Sequence, residues 1–312
     1  MRLSVIVPTY NGVAYLKRTL DSLVADADAD VEVIAVDDGS TDGTRALLER
    51  YRTRLNLQIH VRKVGNWAAN SNHGLELATG EFACFLHQDD FWLPGRTAAT
   101  RRQLRLTPAV TLLLHASAFA DPAGRLLGPW RCPLPARVPL SPRQTLEHLL
   151  VQNFIAIPGA VFRRDTALAV GGLDPALWYT ADWSLWLKLA SAGTTVYLPD
   201  TYAAFRIHPA SQTADRSRSL DAFRDQLETV LRAHADVFPA DSAVMRAARA
   251  SVEINVGLAA AYHRQRLDWT RMATTLGALG PLDWRRLLRD ARLWERVSSR
   301  VRAGFVRRRA HA

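Results

Sequence analysis

The apolar residues of this chain come first in short unbroken runs and later at helical spacing. Leu3 to Val7, Val31 to Val36, Leu57 to Val61, Glu81 to Leu86 and Val110 to His115 are runs rather than alternations. Such runs predict strands buried on both faces. Between them, Val13, Leu16, Leu20 and Leu23 recur at helical spacing, a second helix passes through Ala46 to Leu48, and another follows Pro94 to about Leu106. Strand, helix, strand, helix at these intervals predicts an α/β fold, a mostly parallel central sheet with right-handed crossovers and helices on both faces. Asn66 to Gly74 reads as a polar loop ahead of a short helix at 75–78, and 121–143, rich in Pro, Gly and Arg, as an irregular excursion. Further strands are expected at 160–162 and 195–198, with an aromatic-faced helix at 182–190 between them. From Leu220 onward the pattern is almost wholly helical, rich in Ala and Arg.

Three of the strands end in polar clusters: Pro8-Thr9-Tyr10-Asn11, Asp37-Asp38 and His87-Gln88-Asp89-Asp90. In a parallel sheet these carboxyl ends share one edge, where α/β proteins bind ligands. Paired carboxylates repel and need a compensating cation when partly covered. Oxygen ligands suit Mg2+ or Mn2+, ions commonly shared with substrate phosphates. The same acidic pairs also suit solvated turns and helix caps, with Ser40 or Thr41 meeting free amides.

Composition narrows the setting. The chain has 312 residues, is 48% hydrophobic and has two cysteines, Cys84 and Cys132. That is enough for a large core and gives no disulfide framework, which fits a reducing compartment. The first apolar run is too short for a signal peptide, Pro8 ends it, and no stretch approaches a spanning helix. A cytoplasmic protein is expected, with peripheral attachment to the inner face of the cell membrane as an option. The net charge of +10 is concentrated in 281–312, which hold ten arginines against three acids. Trp284, Leu287, Leu288, Ala291, Trp294, Val301 and Phe305 recur there at near-helical spacing. The pattern suits a helix on an anionic membrane surface, or one packed on the body with a solvated Arg face. No nucleic-acid-binding module is recognised.

Taken together and in order, Leu3–Asn11, Val36-Asp37-Asp38-Gly39-Ser40-Thr41-Asp42-Gly43-Thr44 and Ala78 to Pro94 resemble family 2 glycosyltransferases of the GT-A fold. The resemblance covers about residues 3–215, leaving 216–312 as a helical, basic C-terminal extension. It implies inverting transfer of a sugar from a nucleotide-diphosphate donor, with Mn2+ or Mg2+, to a saccharide or lipid-linked acceptor in cell-surface glycan or glycolipid synthesis. Carried over by position, Pro8, Thr9, Tyr10, Asn11, Asp37, Asp38 and Asn70 would meet the nucleotide-sugar. Asp89 and Asp90 would hold the metal, and Asp182 would be the catalytic base. Arg206 and His208, in Arg206-Ile207-His208-Pro209-Ala210-Ser211, would reach the diphosphate and the metal. Trp178 and Tyr179 are candidate acceptor platforms, or ordinary core. Gly171-Gly172-Leu173-Asp174 is expected to form an acceptor loop that orders on binding.

This sequence departs from the family pattern twice. His87 stands where Asp is common in the metal motif, and Ala181 precedes Asp182 where Glu-Asp is common. Two other readings compete. One is a non-catalytic nucleotide-sugar-binding scaffold on the same fold. The other is a nucleotidyltransferase, which also uses acids and a metal. All the readings that involve donor chemistry require Asp38, Asp89 and Asp182 to surround one cleft.

Overall fold

The computed structural model describes residues 1–208, 219–295 and 297–298. Pro209, Ala210 and Ser211 of the late motif, and Val301 and Phe305 of the C-terminal pattern, lie outside them. Ten strands form one sheet: β1 (Leu3–Thr9), β2 (Val31–Asp37), β3 (Leu57–Val61), β4 (Phe82–Phe85), β5 (Phe91–Trp92), β6 (Val110–Ala120), β7 (Leu126–Trp130), β8 (Pro139–Leu140), β9 (Ala160–Arg163) and β10 (Thr194–Arg206). Their order is β3-β2-β1-β4-β9-β6-β10-β5, with β7 on β6 and β8 on β10.

β1, β2, β3 and β4 pair in parallel, and so do β6 and β10. The antiparallel β9 lies between β4 and β6, so all six of these strands run the same way. Their carboxyl ends therefore meet along one rim. Every residue of β1, β2 and β6 is buried, which is why their sequences read as runs. Pro8 is accommodated because β1 pairs with β4 only as far as Ile6.

One face of the sheet is covered by α1 (Val13–Asp26), α2 (Thr44–Tyr51) and α4 (Arg96–Leu106). Leu16, Leu20, Leu48 and Leu104 share a core there with Val5, Val33 and Leu113. The other face carries α3 (Trp67–Leu77), α5 (Pro142–Leu149), α6 (Arg164–Ala169) and α7 (Ala181–Ala192). The later helices α8 (Leu220–Arg232), α9 (Ala243–His263), α10 (Trp269–Gly277) and α11 (Pro281–Ala291) follow. Phe223, Leu227, Val256 and Leu287 belong to the same buried cluster as Leu149, Trp183 and Trp186. The basic helical segment thus shares its core with this face of the sheet. Asp283 and Asp290 on the buried side of α11 are paired, with Arg246 at 2.7 Å and His148 at 2.9 Å respectively.

Three sequence expectations change. The polar stretch 66–74 is mostly helix, because the Asn66 side chain caps α3 by accepting from the Ala69 amide. Its polar residues serve contacts at the helix surface, and Gly74 sits where a Cβ would lie 2.5 Å from Ile6. The excursion 121–143 contains β7, paired to the distal half of β6. The strand expected at 195–198 runs on to Arg206, because bulges let β10 follow β6 to its end.

Candidate functional site

The rim opens into a cavity of about 970 Å³. At one end it is walled by Pro8, Thr9, Tyr10, Asp38, Gly39 and Lys63, at the ends of β1 to β3. His87, Gln88, Asp89 and His208 line it from β4 and β10, and Trp178, Tyr179, Thr180 and Asp182 from the segment opening α7. Asp38, Asp89 and Asp182 thus face one cleft.

Asn11, Asp37, Asp90 and Arg206 do not line it. Asp37 is fully buried, and its oxygens accept from Thr9 Oγ1 and from the amide and hydroxyl of Ser40. Asn11 takes φ +44°, and its Oδ1 accepts from the Thr41 amide. These two residues fasten the β1 and β2 ends together, Asp37 from the interior and Asn11 from the exposed side. Asp38 reaches the cavity itself, and its Oδ1 also gathers the amides of Val64 and Gly65 at 2.6 and 3.1 Å.

A clasp that gave no sequence signal completes this end. Gln88 Oε1 accepts from the Tyr10 amide at 2.8 Å, and Gln88 Nε2 donates to the Tyr10 carbonyl at 2.9 Å. A side-chain amide here mimics a strand partner, so the β1 turn is fixed where no strand pairs with it. Gly12 leaves room for it, since a Cβ there would lie 2.1 Å from Gln88 Oε1 and push that side chain away.

His87, Asp89 and Asp90 each offer one ligand atom, all within 4.8 Å of one another. His208 Nε2 meets Asp89 Oδ2 at 2.8 Å. Arg206 supports the group from behind: its amide donates to Asp90 Oδ1, and its guanidinium donates to the carbonyls of Asp89 and Pro122. Burial and the neighbouring Asp89 charge push the Asp90 carboxyl well above the usual carboxylate range. Burial pushes Asp89 the same way, but the bond from His208 and the imidazoles of His87 and His208 bring it below its ordinary value. Burial lowers His87, leaving a neutral imidazole as the favoured form. Asp90 Oδ2 and His87 Nε2 are buried without a partner among the described residues. Nitrogen and oxygen donors left over in an acidic cluster fit a divalent cation.

Asp182 stands in the first turn of α7, which Thr180 precedes as N-cap. Its Oδ1 accepts from the Trp183 amide at 2.8 Å and its Oδ2 from Asn153 Nδ2 at 3.1 Å. Burial raises its pKa to about 6, with these bonds opposing the rise. Such a carboxylate is ionised at neutral pH and is a stronger base than one in water.

Trp67 packs edge-on against His87 at 5.1 Å and donates to the Trp178 carbonyl at 3.3 Å. Asn70 lines the cavity, with its Oδ1 unpartnered among the described residues. Trp178 and Tyr179 are partly buried against the core and also line the cleft. The expected flexible loop at 171–174 is instead tied down by α3. Asn72 bonds both the amide and the carbonyl of Leu173, and Asn66 donates to the Pro175 carbonyl.

Residues 4–111 match the family described as glycosyl transferase family 2. Over that segment the chain is similar to family 2 glycosyltransferases. An uncharacterized glycosyltransferase of Nostoc is 28% identical over 219 residues, covering 68% of this chain and 66% of its own length. This chain thus matches about two thirds of that relative. The poly(ribitol-phosphate) beta-N-acetylglucosaminyltransferase TarS of Staphylococcus aureus is 39% identical over 95 residues, 29% of this chain and 17% of TarS. The crystal structure of TarS 1–349 with UDP-GlcNAc superposes with a TM-score of 0.63 at 20% identity, covering 97% of this chain and 89% of that one. A mannosyltransferase from Pyrobaculum calidifontis in complex with GDP-Man and Mn2+ gives a TM-score of 0.57 at 19% identity, covering 97% of this chain and 86% of the other. This chain and these two solved structures share the GT-A fold.

Proposed function

We propose that this protein is an inverting glycosyltransferase that moves a sugar from a nucleotide-diphosphate donor to a hydroxyl acceptor in cell-surface glycan or glycolipid synthesis. The observation that carries the reading is the single cleft onto which Asp38, Asp89 and Asp182 all open. The nucleotide would lie against Pro8, Thr9, Tyr10, Asp38 and Asn70, with Asn11 and Asp37 holding that wall. Asp182 would take the proton of the acceptor hydroxyl as its oxygen attacks the anomeric carbon. The carbon–oxygen bond to the diphosphate breaks with its electron pair, and a single displacement inverts the centre. Trp178 and Tyr179 would pack on the acceptor.

Asp89, Asp90 and His208 would hold Mn2+ or Mg2+, with His87 beside them and Arg206 fixing the loop. When bound, the cation supplies positive charge against the departing diphosphate. Support comes from the leftover donors of the acidic cluster and from the P. calidifontis neighbour, whose complex holds GDP-Man and Mn2+.

An anionic membrane surface is part of the proposal. Leu282, Leu288 and Trp294 are exposed beside Arg285 and Arg289. No helix of the described residues is long and apolar enough to cross a membrane.

The test is a thermal-shift screen of UDP- and GDP-sugars with and without Mn2+, followed by analysis of the released product. Stabilisation by a donor and release of nucleoside diphosphate are expected. No shift with any donor, or release of pyrophosphate, would defeat the proposal.

A further inference from the structure

The segment between α5 and β9 is held from three sides. Trp183 Nε1 donates to the Leu149 carbonyl at 2.8 Å, and Trp130 Nε1 to the Phe154 carbonyl at 2.7 Å. From α9, Ser251 Oγ and Asn255 Nδ2 each donate to Gln152 Oε1 at 2.9 Å. Gln152 Nε2 in turn donates to the Asn153 carbonyl at 3.1 Å. The main chain at Asn153 is therefore anchored by β7, α7 and the C-terminal helical segment together.

Its side chain has one available orientation. Asn153 Oδ1 accepts from the Ile155 amide at 3.2 Å, so the amide nitrogen must point the other way, at Asp182 Oδ2. We propose that Asn153 is the positioning residue of the Asp182 carboxylate: its Nδ2 fixes the Oδ2 oxygen and stabilises the ionised form, leaving the carboxylate oriented towards the cleft. For catalysis this rests on reading Asp182 as the base, whereas the hold on the carboxylate can be measured without that reading.

The surroundings make the bond decisive. The Asp182 oxygens bond only neutral donors among the described residues, the Trp183 amide and Asn153. The charged or titratable groups facing the same cavity are Asp38, Lys63, His87, Asp89 and His208, with the phenols of Tyr10 and Tyr179. None of them figures among the causes of the Asp182 shift, which are burial and hydrogen bonds. Asn153 is the only side chain that opposes the effect of burial there.

The experiment is a pH titration of protein carrying 13C-labelled aspartate carboxyls, with Asp182→Asn removing and so assigning one resonance. The wild-type midpoint is expected near 6. Asn153→Ala should raise it by about one unit, the size of one hydrogen bond to a charged group. Asn153→Asp keeps the acceptor for Ile155, replaces the donor by a repelling oxygen, and should raise it at least as far. This second variant also serves if Asn153→Ala does not fold. Midpoints unmoved in folded variants would overturn the proposal. With whichever of UDP-GlcNAc or GDP-mannose is turned over, the acid limb of kcat/KM should move upward with the midpoint. Full transfer by Asp182→Asn alongside a moved midpoint would sink the base reading alone. An inactive Asp182→Asn with unmoved Asn153 variants would sink this inference alone.

Discussion

Arg206 is hydrogen-bonded to Asp89 at the main chain and not at the carboxylate: the guanidinium Nε donates to the Asp89 carbonyl at 2.7 Å. The Asp89 carboxylate is thereby left for His208 and the cleft. The same guanidinium lies over the rings of Tyr15 and Phe91. A residue that sequence reasoning aims at the diphosphate thus braces the acidic loop from behind.

Arg206→Ala should cost roughly 3 kcal/mol of stability, since it unpairs two carbonyls and removes stacking. Arg206→Lys should recover only part, because an ammonium cannot reproduce the planar fork. Urea denaturation checks this, and equal stability of all three proteins would refute it.

Gln88→Ala should weaken donor-nucleotide binding by about 1–2 kcal/mol while leaving the fold intact. Both Tyr10 bonds are lost, but Tyr10 is exposed and water can replace them. Calorimetric titration with UDP or GDP in the presence of Mn2+ gives the affinity. An unchanged Kd would show that the clasp does not shape the nucleotide wall.

Asp182→Asn should lower transfer by about 10²–10⁴-fold, and the ionised Asp182 of the wild type should cost stability at pH 7. The folded pKa, about 6, lies above the ordinary aspartate value of 3.8. The folded state therefore binds the proton more tightly than the unfolded state does. Stability should rise as pH falls from about 6 towards 4, and the ionised form costs stability at neutral pH. Because the cleft admits some solvent, the gain on protonation is put at about 1–2 kcal/mol. No gain in wild-type stability relative to Asp182→Asn between pH 7 and 5 would contradict the sign.

His208→Ala and Asp89→Asn should each remove the Mn2+-dependent part of the thermal shift seen with UDP or GDP. His87→Ala should weaken it less, because His87 is half-buried and packed edge-on against Trp67. Retention of the full Mn2+ effect in Asp89→Asn would place the cation elsewhere.

Leu287→Ala should cost about 2–4 kcal/mol by leaving a cavity in the core shared by α11, α9 and α7. Unfolding should remain one transition, because the C-terminal helices and the sheet bury the same cluster. Two separated transitions would favour 1–215 and 216–312 as independent units.

Much of the site is legible in the sequence because parallel strands put their polar ends on one rim. The runs 3–7, 31–36 and 81–86 announce buried strands, and the acids that follow them must then be neighbours. Which of those acids faces the cleft is not a local property. Asp37 and Asp38 are adjacent in sequence, but the β1–β2 register sets Asp37 beside Thr9 and leaves Asp38 at the opening. The apolar run of β10 announces only about the first third of that strand, because its bulges interrupt the pattern.

What the chain alone determined was the alternation of strands and helices, the shared rim and the acids upon it, since periodicity and strand polarity are written in near neighbours. What only the tertiary structure decided was the set of contacts between residues far apart. Gln88 closes on Tyr10, Asn153 on Asp182, and Arg246 on Asp283, across 78, 29 and 37 positions. Hydrogen-bonding side chains of this kind carry no periodic signal. Their partners are chosen by packing, and packing exists only once the sheet has brought distant segments to the same place.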